Sequence, residues 1–308
     1  MHDFKVRILG SSSALPTSTR MTTAQAVLYN EVPYLIDCGE GTQMQMRRYN
    51  VHFGRLKNIF ISHLHGDHIY GIFGLLSSFN LLGRKQDLNI FAPEQLKKLY
   101  ETVLDLNNDN LNYKINFYSL DCSGKSLIFS NKHLNVYSFP LKHSKPVFGF
   151  LFEEKPKQLN IRKEIISRYN LSIKQIIDIK NGNDFVLPDG RVILNTELTH
   201  SPIPPCSYAF CTDTLPIPNI KKYINNVNIL YHEATFGSDM KEMAKTTMHS
   251  TASQAAEIAK KVNAGELVIG HFSSRYKNVD ILLNEARDIF PDTVEAKDGL
   301  LIYIKSKN

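Results

Sequence analysis

The chain has 308 residues, of which 43% are hydrophobic and 21% charged, so it is long enough to bury a large core. Its net charge of +6 at pH 7 permits a polyanionic partner but does not require one. No apolar run approaches the roughly 18 residues of a membrane helix, and the first residues lack the apolar core of a signal peptide. The four cysteines form no CxxC pair, which predicts reduced thiols and a cytoplasmic protein without membrane contact.

Strand-like and helix-like segments alternate along the chain. Three short strands are predicted first, at 4–9, 24–29 and 34–39. A fourth apolar run, 58–63, ends at a histidine, and helical periodicity follows over 69–82. The remaining predicted elements are, in chain order, strand 88–92, helix 93–106, strands 134–140, 147–152, 191–195, 207–212 and 227–232, helix 251–263, strand 266–270, helix 279–289 and strand 300–304. This alternation predicts an α/β protein whose layered sheets are covered by helices.

One segment departs from the pattern. Residues 153–190 are charged and rich in asparagine, and they interrupt the series of strands. We therefore predict a single domain over residues 1–308 with a flexible arm inserted at about 153–190. Two interpretations of the arm stay open: a surface insertion without function, or a protruding element that contacts a substrate.

The segment HLHGDH at 63–68 places four potential metal ligands within six residues. Neutral imidazole nitrogens and ionised carboxylate oxygens bind zinc at about 2.0–2.2 Å. His63 and His65 are two residues apart and face the same side of an extended segment, whereas Asp67 and His68 are expected to open the next helix. One short segment can therefore serve two adjacent metal ions.

Four ligands do not complete two zinc sites, so the other ligands must come from distant strand ends. His143, Asp213 and His271 each follow a strand-like apolar run and precede polar or turn residues. Each residue alone would more often be structural or simply exposed. Together with HLHGDH, all three fit the placement that metal ligands require.

Several further motifs extend from the N-terminus to about residue 276. They are LGSSSALPT (9–17), DCGEGTQ (37–43), ISHLHGDHIYGIFGLL (61–76), the strand leading to His143, CTDT (211–214), HEATF (232–236), MHST (248–251) and GHFSSRY (270–276). With them the sequence resembles the ribonuclease Z family, short-form tRNA 3′-processing endonucleases of the metallo-β-lactamase superfamily. HLHGDH alone indicates only the superfamily, whereas HEATF, HST and HFSSRY together are far more specific. The resemblance implies a metallo-β-lactamase fold, a four-layer αββα sandwich with a protruding exosite arm.

The resemblance also implies a cofactor of two Zn²⁺ ions per chain, with Mn²⁺ as a substitute because His/Asp sites accept several metals. The implied ligands are His63, His65 and His143 for the first ion, Asp67, His68 and His271 for the second, and Asp213 as the bridge between them. Asp67 would in addition orient a hydroxide or accept its proton. A role of Asp67 as ligand only stays open.

The implied reaction is cleavage of precursor tRNA on the 3′ side of the discriminator nucleotide by a metal-activated hydroxide, which leaves a 3′-hydroxyl on the tRNA. Thr251-Ala-Ser-Gln254 predicts a capping box, so His249 would lie just before a helix N-terminus, where phosphate binds readily. His249 is the candidate that protonates or stabilises the leaving group. Glu233 is the carboxylate expected to orient it. A histidine before a helix is usually a solvated loop residue, but the pairing of HEATF with HST favours the catalytic interpretation.

Precursor tRNA is the expected partner, and phosphate contacts would position it without reading its sequence. The candidate contacts are Arg275, Lys163 and Lys174; an exposed loop arginine without function stays an alternative for Arg275. The family's arm typically carries a Gly-Pro element near its tip, which SIKQIIDIKNGND lacks, so individual arm contacts stay open. The resemblance also implies a homodimer in which one subunit's arm serves the other's active site, and residues 71–82 could supply the interface or only core.

Two other functions stay open from the sequence. A related metallo-β-lactamase-fold hydrolase could act on small phosphodiesters or sulfate esters, although HEATF, HST and the arm argue against it. An inactive relative could bind RNA through the arm, although the complete ligand set and His249 argue against that.

Overall fold

The structure is a computed structural model that describes residues 3–107, 111–200 and 204–306. It divides into two compact units, the first formed by Met1–Glu153 and Cys206–Lys305 and the second by Glu154–Pro205 with Ser306–Asn308. The arm expected at about 153–190 thus corresponds to a unit that begins at Glu154 but continues to Pro205. The later boundary has a physical reason, since Ile193 and Leu198 pack into the small core of this unit.

Two seven-stranded sheets form the centre of the first unit within the described residues. In spatial order, the first sheet contains β18 (Leu301–Tyr303), β1 (Phe4–Gly10), β2 (Ala24–Tyr29), β3 (Val32–Ile36), β4 (Asn58–Phe60), β5 (Leu88–Ala92) and β6 (Ile115–Ser119). The second contains β17 (Thr293–Glu295), β16 (Glu266–Gly270), β15 (Ile229–Glu233), β14 (Ser207–Cys211), β9 (Phe148–Glu154), β8 (Leu134–Pro140) and β7 (Ser126–Ser130). Strands β3 to β6 are parallel, as are β14 to β17.

Helices accompany both sheets of the first unit. They are α1 (Thr42–Arg48), α2 (Gly66–Leu81) and α3 (Gln95–Asn107) after strands of the first sheet, and α7 (Lys241–Thr246), α8 (Ala252–Lys261) and α9 (Asp280–Arg287) after strands of the second. Within the ranges that the structure describes, no helix combines the length and the apolar character needed to cross a membrane.

Side chains that alternate along the strands build the layers. In β4, Ile59 packs with the helices over the first sheet, whereas Phe60 lies between the sheets. In β16, Leu267 and Ile269 pack with α8 and α9, whereas Val268 lies between the sheets. Both faces of these strands are covered, which explains why they are almost continuously apolar in sequence. The predicted four-layer αββα sandwich is therefore confirmed.

The second unit has a small core of its own. It pairs β10 (Asn160–Ile161) with β13 (Thr199–His200) and β11 (Phe185–Val186) with β12 (Val192–Ile193), and it contains α4 (Lys163–Tyr169), α5 (Ile173–Lys180) and α6 (Asn195–Leu198). A capping box of Ser172 and Gln175 begins α5. The buried core residues are Ile161, Ile165, Leu171, Ile179, Phe185 and Leu198.

Candidate metal centre

The predicted ligands lie just beyond the carboxyl ends of strands. Residues 63–68 follow β4 of the first sheet, while His143, Asp213 and His271 follow β8, β14 and β16 of the second. The loops after β14 and β16 meet because these parallel strands end at the same edge. The structure brings all seven predicted ligands together in two groups, His63, His65, His143 and Asp213, and Asp67, His68 and His271, with the ligand atoms of each group within 4.8 Å of one another.

The carboxylate of Asp213 faces both groups. Its Oδ2 lies 3.4 Å from His63 Nε2 and 3.9 Å from His143 Nε2. Its Oδ1 lies 3.3 Å from His68 Nε2 and 3.1 Å from His271 Nε2. Two ligands bound to one zinc ion at about 2.1 Å are themselves roughly 3–4 Å apart. Each oxygen of Asp213 therefore faces a different ligand group, at distances that suit two ligands of one ion.

Buried ring nitrogens test whether these residues suit a metal. Among the described residues, His232, outside the two groups, has a buried Nε2 that makes no hydrogen bond, an uncommon state for a buried polar atom. Within the two groups, His68, His143 and His271 share this state. The other nitrogen, Nδ1, is held in each case, by Asp37 Oδ2 at 2.7 Å, by the Met248 carbonyl at 3.0 Å and by Thr235 Oγ1 at 3.0 Å, respectively. One fixed and one free nitrogen is the arrangement of a metal-binding imidazole. The residues fit a metal ion.

Electrostatics favour the protonation states that bind metals. Burial lowers the pKa of His63, His65 and His143, which keeps these imidazoles neutral. Burial raises the pKa of Asp67 and Asp213, but the surrounding histidines outweigh it and hold both well below the usual range. Both side chains are therefore ionised, which is the state in which a carboxylate binds a metal ion.

His68 behaves differently from the other ring ligands. Burial lowers its pKa, but the carboxylates of Asp213, Asp67 and Asp37 outweigh burial and raise the pKa well above the usual value. A metal ion bound among the same carboxylates would compete with this proton, because a ligating imidazole must be neutral.

Asp37 is a functional residue that the sequence analysis missed. It follows β3 in a left-handed conformation with φ 56°, and its carboxylate is completely buried. It accepts hydrogen bonds from the Ser62 amide at 2.7 Å and the Ser62 hydroxyl at 2.8 Å, besides its contact with His68. An acidic residue at the end of the strand next to β4, within DCGEGTQ, was the signal that could have identified it.

Glu233 holds His249 as expected. Its Oε1 accepts from His249 Nδ1 at 3.0 Å and from the amides of Thr214 and Ser250. Its Oε2 accepts from the amide and hydroxyl of Thr235, and that hydroxyl also contacts His271. Glu233 therefore links His249 to a metal-ligand candidate, a connection that the sequence analysis did not predict.

His249 lies just before α8, and the predicted Thr251 capping box is confirmed. Burial lowers the pKa of His249, but Glu233, with smaller contributions from Asp213 and Asp67, outweighs burial and raises it to about 9. Because Glu233 holds Nδ1, Nε2 is the ring nitrogen available to a substrate. His249 thus has a fixed orientation and a proton to donate.

A cavity of about 500 Å³ opens over these residues. Its lining residues are Ser13, Ala14, Leu15, Pro16, Thr22, Glu40, His65, Gly66, Asp67, Tyr70, Asp213, His249 and His271. Arg275 is exposed on the loop after His271 and is not among the described residues that line this cavity. Lys163 and Lys174 are exposed on α4 and α5 of the second unit.

The four-layer fold and the paired His/Asp groups define a metal-binding hydrolase of the metallo-β-lactamase fold. The human tRNase Z, short form (ELAC1), superposes with a TM-score of 0.71 at 26% identity and covers 97% of this chain and 99% of its own. The metallo-β-lactamase fold protein YhfI from Bacillus subtilis shares the fold with a TM-score of 0.70 at 16% identity, over 98% of this chain and 99% of its own.

Sequence comparisons identify the family. Ribonuclease Z of Bacteroides thetaiotaomicron is 44% identical over 306 residues, 99% of this chain and 97% of that protein. Ribonuclease Z of Parabacteroides distasonis is 45% identical over 304 residues, 99% of this chain and 100% of that protein. The chain belongs to the ribonuclease Z family. Residues 4–159 also match the family model described as Anti-Pycsar protein Apyc1, which places that half of the chain in the family so described.

Proposed function

We propose that this protein is a tRNA 3′-processing endoribonuclease that removes the 3′ trailer from precursor tRNA. It cuts 3′ of the discriminator nucleotide and leaves a 3′-hydroxyl on the tRNA. One observation carries the proposal: Asp213 spans two ligand groups beside the His249–Glu233 pair, in a chain 44% identical to Ribonuclease Z proteins over nearly its full length.

We assign two Zn²⁺ ions to the two groups, with Mn²⁺ as a substitute. His63, His65 and His143 would hold the first ion, Asp67, His68 and His271 the second, and Asp213 would bridge them. When bound, the pair of ions supplies Lewis acidity to the scissile phosphate and lowers the pKa of water. The buried Nε2 atoms that make no hydrogen bond and the two-sided placement of Asp213 support this assignment.

The remaining chemistry belongs to side chains of the cavity. Asp67, whose Oδ2 accepts from the Ala14 amide at 2.8 Å, orients the attacking water. Protonated His249 donates from Nε2 to the leaving ribose 3′-oxygen, which becomes the 3′-hydroxyl, while the trailer keeps the phosphate. The side chain of Glu233 is completely buried behind His249, so it acts on the substrate only through that ring, as a positioning residue.

The direct test maps the cleavage position on one precursor tRNA labelled at its 5′ end. We expect a single zinc-dependent product that ends at the discriminator nucleotide. A chain that hydrolyses bis(p-nitrophenyl) phosphate but leaves the precursor intact would instead support the small-ester alternative.

Replacing Glu233 by glutamine should change the pH profile. Loss of the carboxylate lowers the pKa of His249, because Glu233 is the main group that raises it. Since the acid must be protonated, activity is present below the pKa of His249 and lost as pH rises through it. The alkaline limb of kcat for precursor tRNA should therefore move to lower pH. Glu266→Gln, which neutralises a half-buried carboxylate at the opposite end of the adjacent strand, should leave that limb in place; an unmoved limb in Glu233→Gln refutes the coupling.

We propose that the second unit is an arm that binds tRNA, with Lys163 and Lys174 contacting phosphate. Glu153 pairs with Ser207, so residues 155–205 can be replaced by a short Gly-Ser turn without disturbing the sheet. The KM for precursor tRNA should rise at least about tenfold, while cleavage of bis(p-nitrophenyl) phosphate stays unchanged. The double variant Lys163→Ala/Lys174→Ala should raise KM in the same direction and weaken its salt dependence. Equal losses on both substrates would mean that the replacement damaged the fold.

The other expectations stay proposals. We propose that Arg275 contacts substrate phosphate, and that the protein is a cytoplasmic homodimer. In α2, Ile72, Leu75, Leu76 and Phe79 are buried in the core beside the first sheet, so the apolar face of residues 71–82 serves the core. Leu81 and Leu82 are 84% and 62% exposed at the end of this helix, so both are available to a second copy. Sedimentation equilibrium tests the dimer.

A further inference from the structure

The loop of residues 11–21, which joins β1 to β2, contacts the second ligand group at two places. The Ala14 amide donates to Asp67 Oδ2 at 2.8 Å. The backbone of Phe272, the residue after His271, donates to the Ser11 carbonyl and accepts from the Ser13 amide, both at 3.0 Å. The loop therefore contacts one candidate ligand directly and the backbone beside another.

Ala14 is held in an unfavourable conformation. Its φ is 55°, a left-handed value that costs a non-glycine residue of the order of 1 kcal/mol or more, so the rest of the loop must enforce it. In this conformation the amide of Ala14 points at Asp67 Oδ2. What fixes the loop therefore also orients Asp67.

A single carboxylate holds both ends of the loop. Asp298 Oδ1 accepts from the Ser11 hydroxyl at 2.8 Å, and Oδ2 accepts from the Met21 amide at 2.7 Å. Gln45 Nε2 also donates to Oδ2, at 3.0 Å. Asp298 lies in the segment between β17 and β18, near the end of the chain, so distant sequence closes the loop.

Arg20 adds a second connection to the same segment. Its Nη1 donates to the Ser11 hydroxyl at 3.0 Å and to the Ala296 carbonyl at 2.9 Å. Its Nη2 binds Glu295 Oε1 at 2.6 Å. The guanidinium also lies 5.0 Å from the centroid of the Phe272 ring. Only the planar fork of arginine can satisfy these directions together.

We propose that Arg20 and Asp298 are positioning residues for the second metal ion. They hold the loop so that Ala14 orients Asp67 and Phe272 fixes the backbone at His271. The inference rests on the two-ion assignment proposed above. The first group is supported elsewhere, since Ser62 contacts His63 and the Met248 carbonyl holds His143. Changes at Arg20 or Asp298 therefore act on one ion selectively.

The test challenges the zinc-loaded, full-length enzyme with increasing concentrations of a chromophoric chelator and counts the ions released. The wild-type enzyme should release two zinc ions, the more weakly bound ion first and the other at a higher chelator concentration. Arg20→Ala should lose one ion at a chelator concentration lower by up to about 10–100-fold, the range for direct partners of ligands, and keep the other as in wild type. Arg20→Lys should fall between the two. Asp298→Ala should match Arg20→Ala, because it removes the acceptor of both the Ser11 hydroxyl and the Met21 amide.

Arg84→Ala is the matched control. Arg84 also donates to backbone carbonyls, of Leu56 and Asp87, and lies over an aromatic ring, that of Phe79, but it is remote in sequence from the loop and from its partners. It should destabilise the fold without changing zinc release. Zinc release that is unchanged in all loop variants, or an equal loss of affinity for both ions, overturns the inference. Cleavage of precursor tRNA by the wild-type enzyme would still support the proposed function in that case. A wild-type enzyme that holds no zinc overturns the metal assignment and the inference together.

Discussion

Replacing Asp213 by alanine should remove metal from the protein and reduce cleavage of precursor tRNA by at least about 10³-fold. The reason is geometric, because each oxygen of this carboxylate faces a different ligand group at 3.1–3.9 Å. Losing Lewis-acid stabilisation costs several kcal/mol of transition-state binding, and about 4 kcal/mol corresponds to that factor. Metal content by plasma mass spectrometry and single-turnover cleavage measure the two effects.

Two further variants serve as controls for the Asp213→Ala result. Asp213→Asn preserves the volume but replaces one oxygen by an amide nitrogen that cannot bind a cation, so it should also lose metal. Asp189→Ala removes an exposed carboxylate in the second unit and should keep both ions. An Asp213→Ala protein that retains two zinc ions per chain would refute the bridging assignment.

Replacing His249 by alanine should lower turnover on precursor tRNA by about 10²–10⁴-fold, the usual contribution of a general acid. Zinc content and KM should stay close to those of wild type. Glu233 already holds Nδ1 of this ring at 3.0 Å, and burial leaves His249 only partly accessible. Parallel measurement of metal content and of kcat separates the loss of an acid from the loss of a ligand.

His249 has one competing role, which the same experiment decides. Its ring nitrogen also lies within 4.8 Å of ligand atoms of Asp213 and His271, so these three residues form a third possible group. A His249→Ala protein that loses one ion would make His249 a ligand, and unchanged turnover would remove it from the mechanism. His52→Ala, which changes an exposed histidine, should affect neither quantity.

The candidate metal ligands could be predicted because the sequence carries two kinds of signal for them. HLHGDH combines ligand types and spacing, and His143, Asp213 and His271 each close an apolar strand. The supporting residues carry weaker signals. Asp37 and Thr235 act through side-chain hydrogen bonds to candidate ligands on other elements, His68 at the start of α2 and His271 after β16, and only the folded structure shows these pairings.

Several elements escaped prediction for physical reasons. Strands β6 and β7 lie at the edges of their sheets and are largely half-buried or exposed, so neither has a long apolar run. Helix α1 is short and polar, and it begins after Gly41 in a left-handed conformation. The strand predicted at 191–195 is reduced to Val192–Ile193 in a two-stranded hairpin of the second unit. Periodicity predicts what is buried in the main core and little beyond it.

The candidate ligands come from both sheets, four from the segment after β4 and three from loops of the second sheet. Ions held there would cross-link the two halves of the sandwich. Ligand binding to the native state adds RT ln(1 + [L]/Kd) to its stability, about 2.7 kcal/mol when free zinc is at 100 times Kd. Zinc supply would then set the stability of the folded enzyme as well as its activity, and a melting curve recorded with and without chelator would report the occupancy of the site.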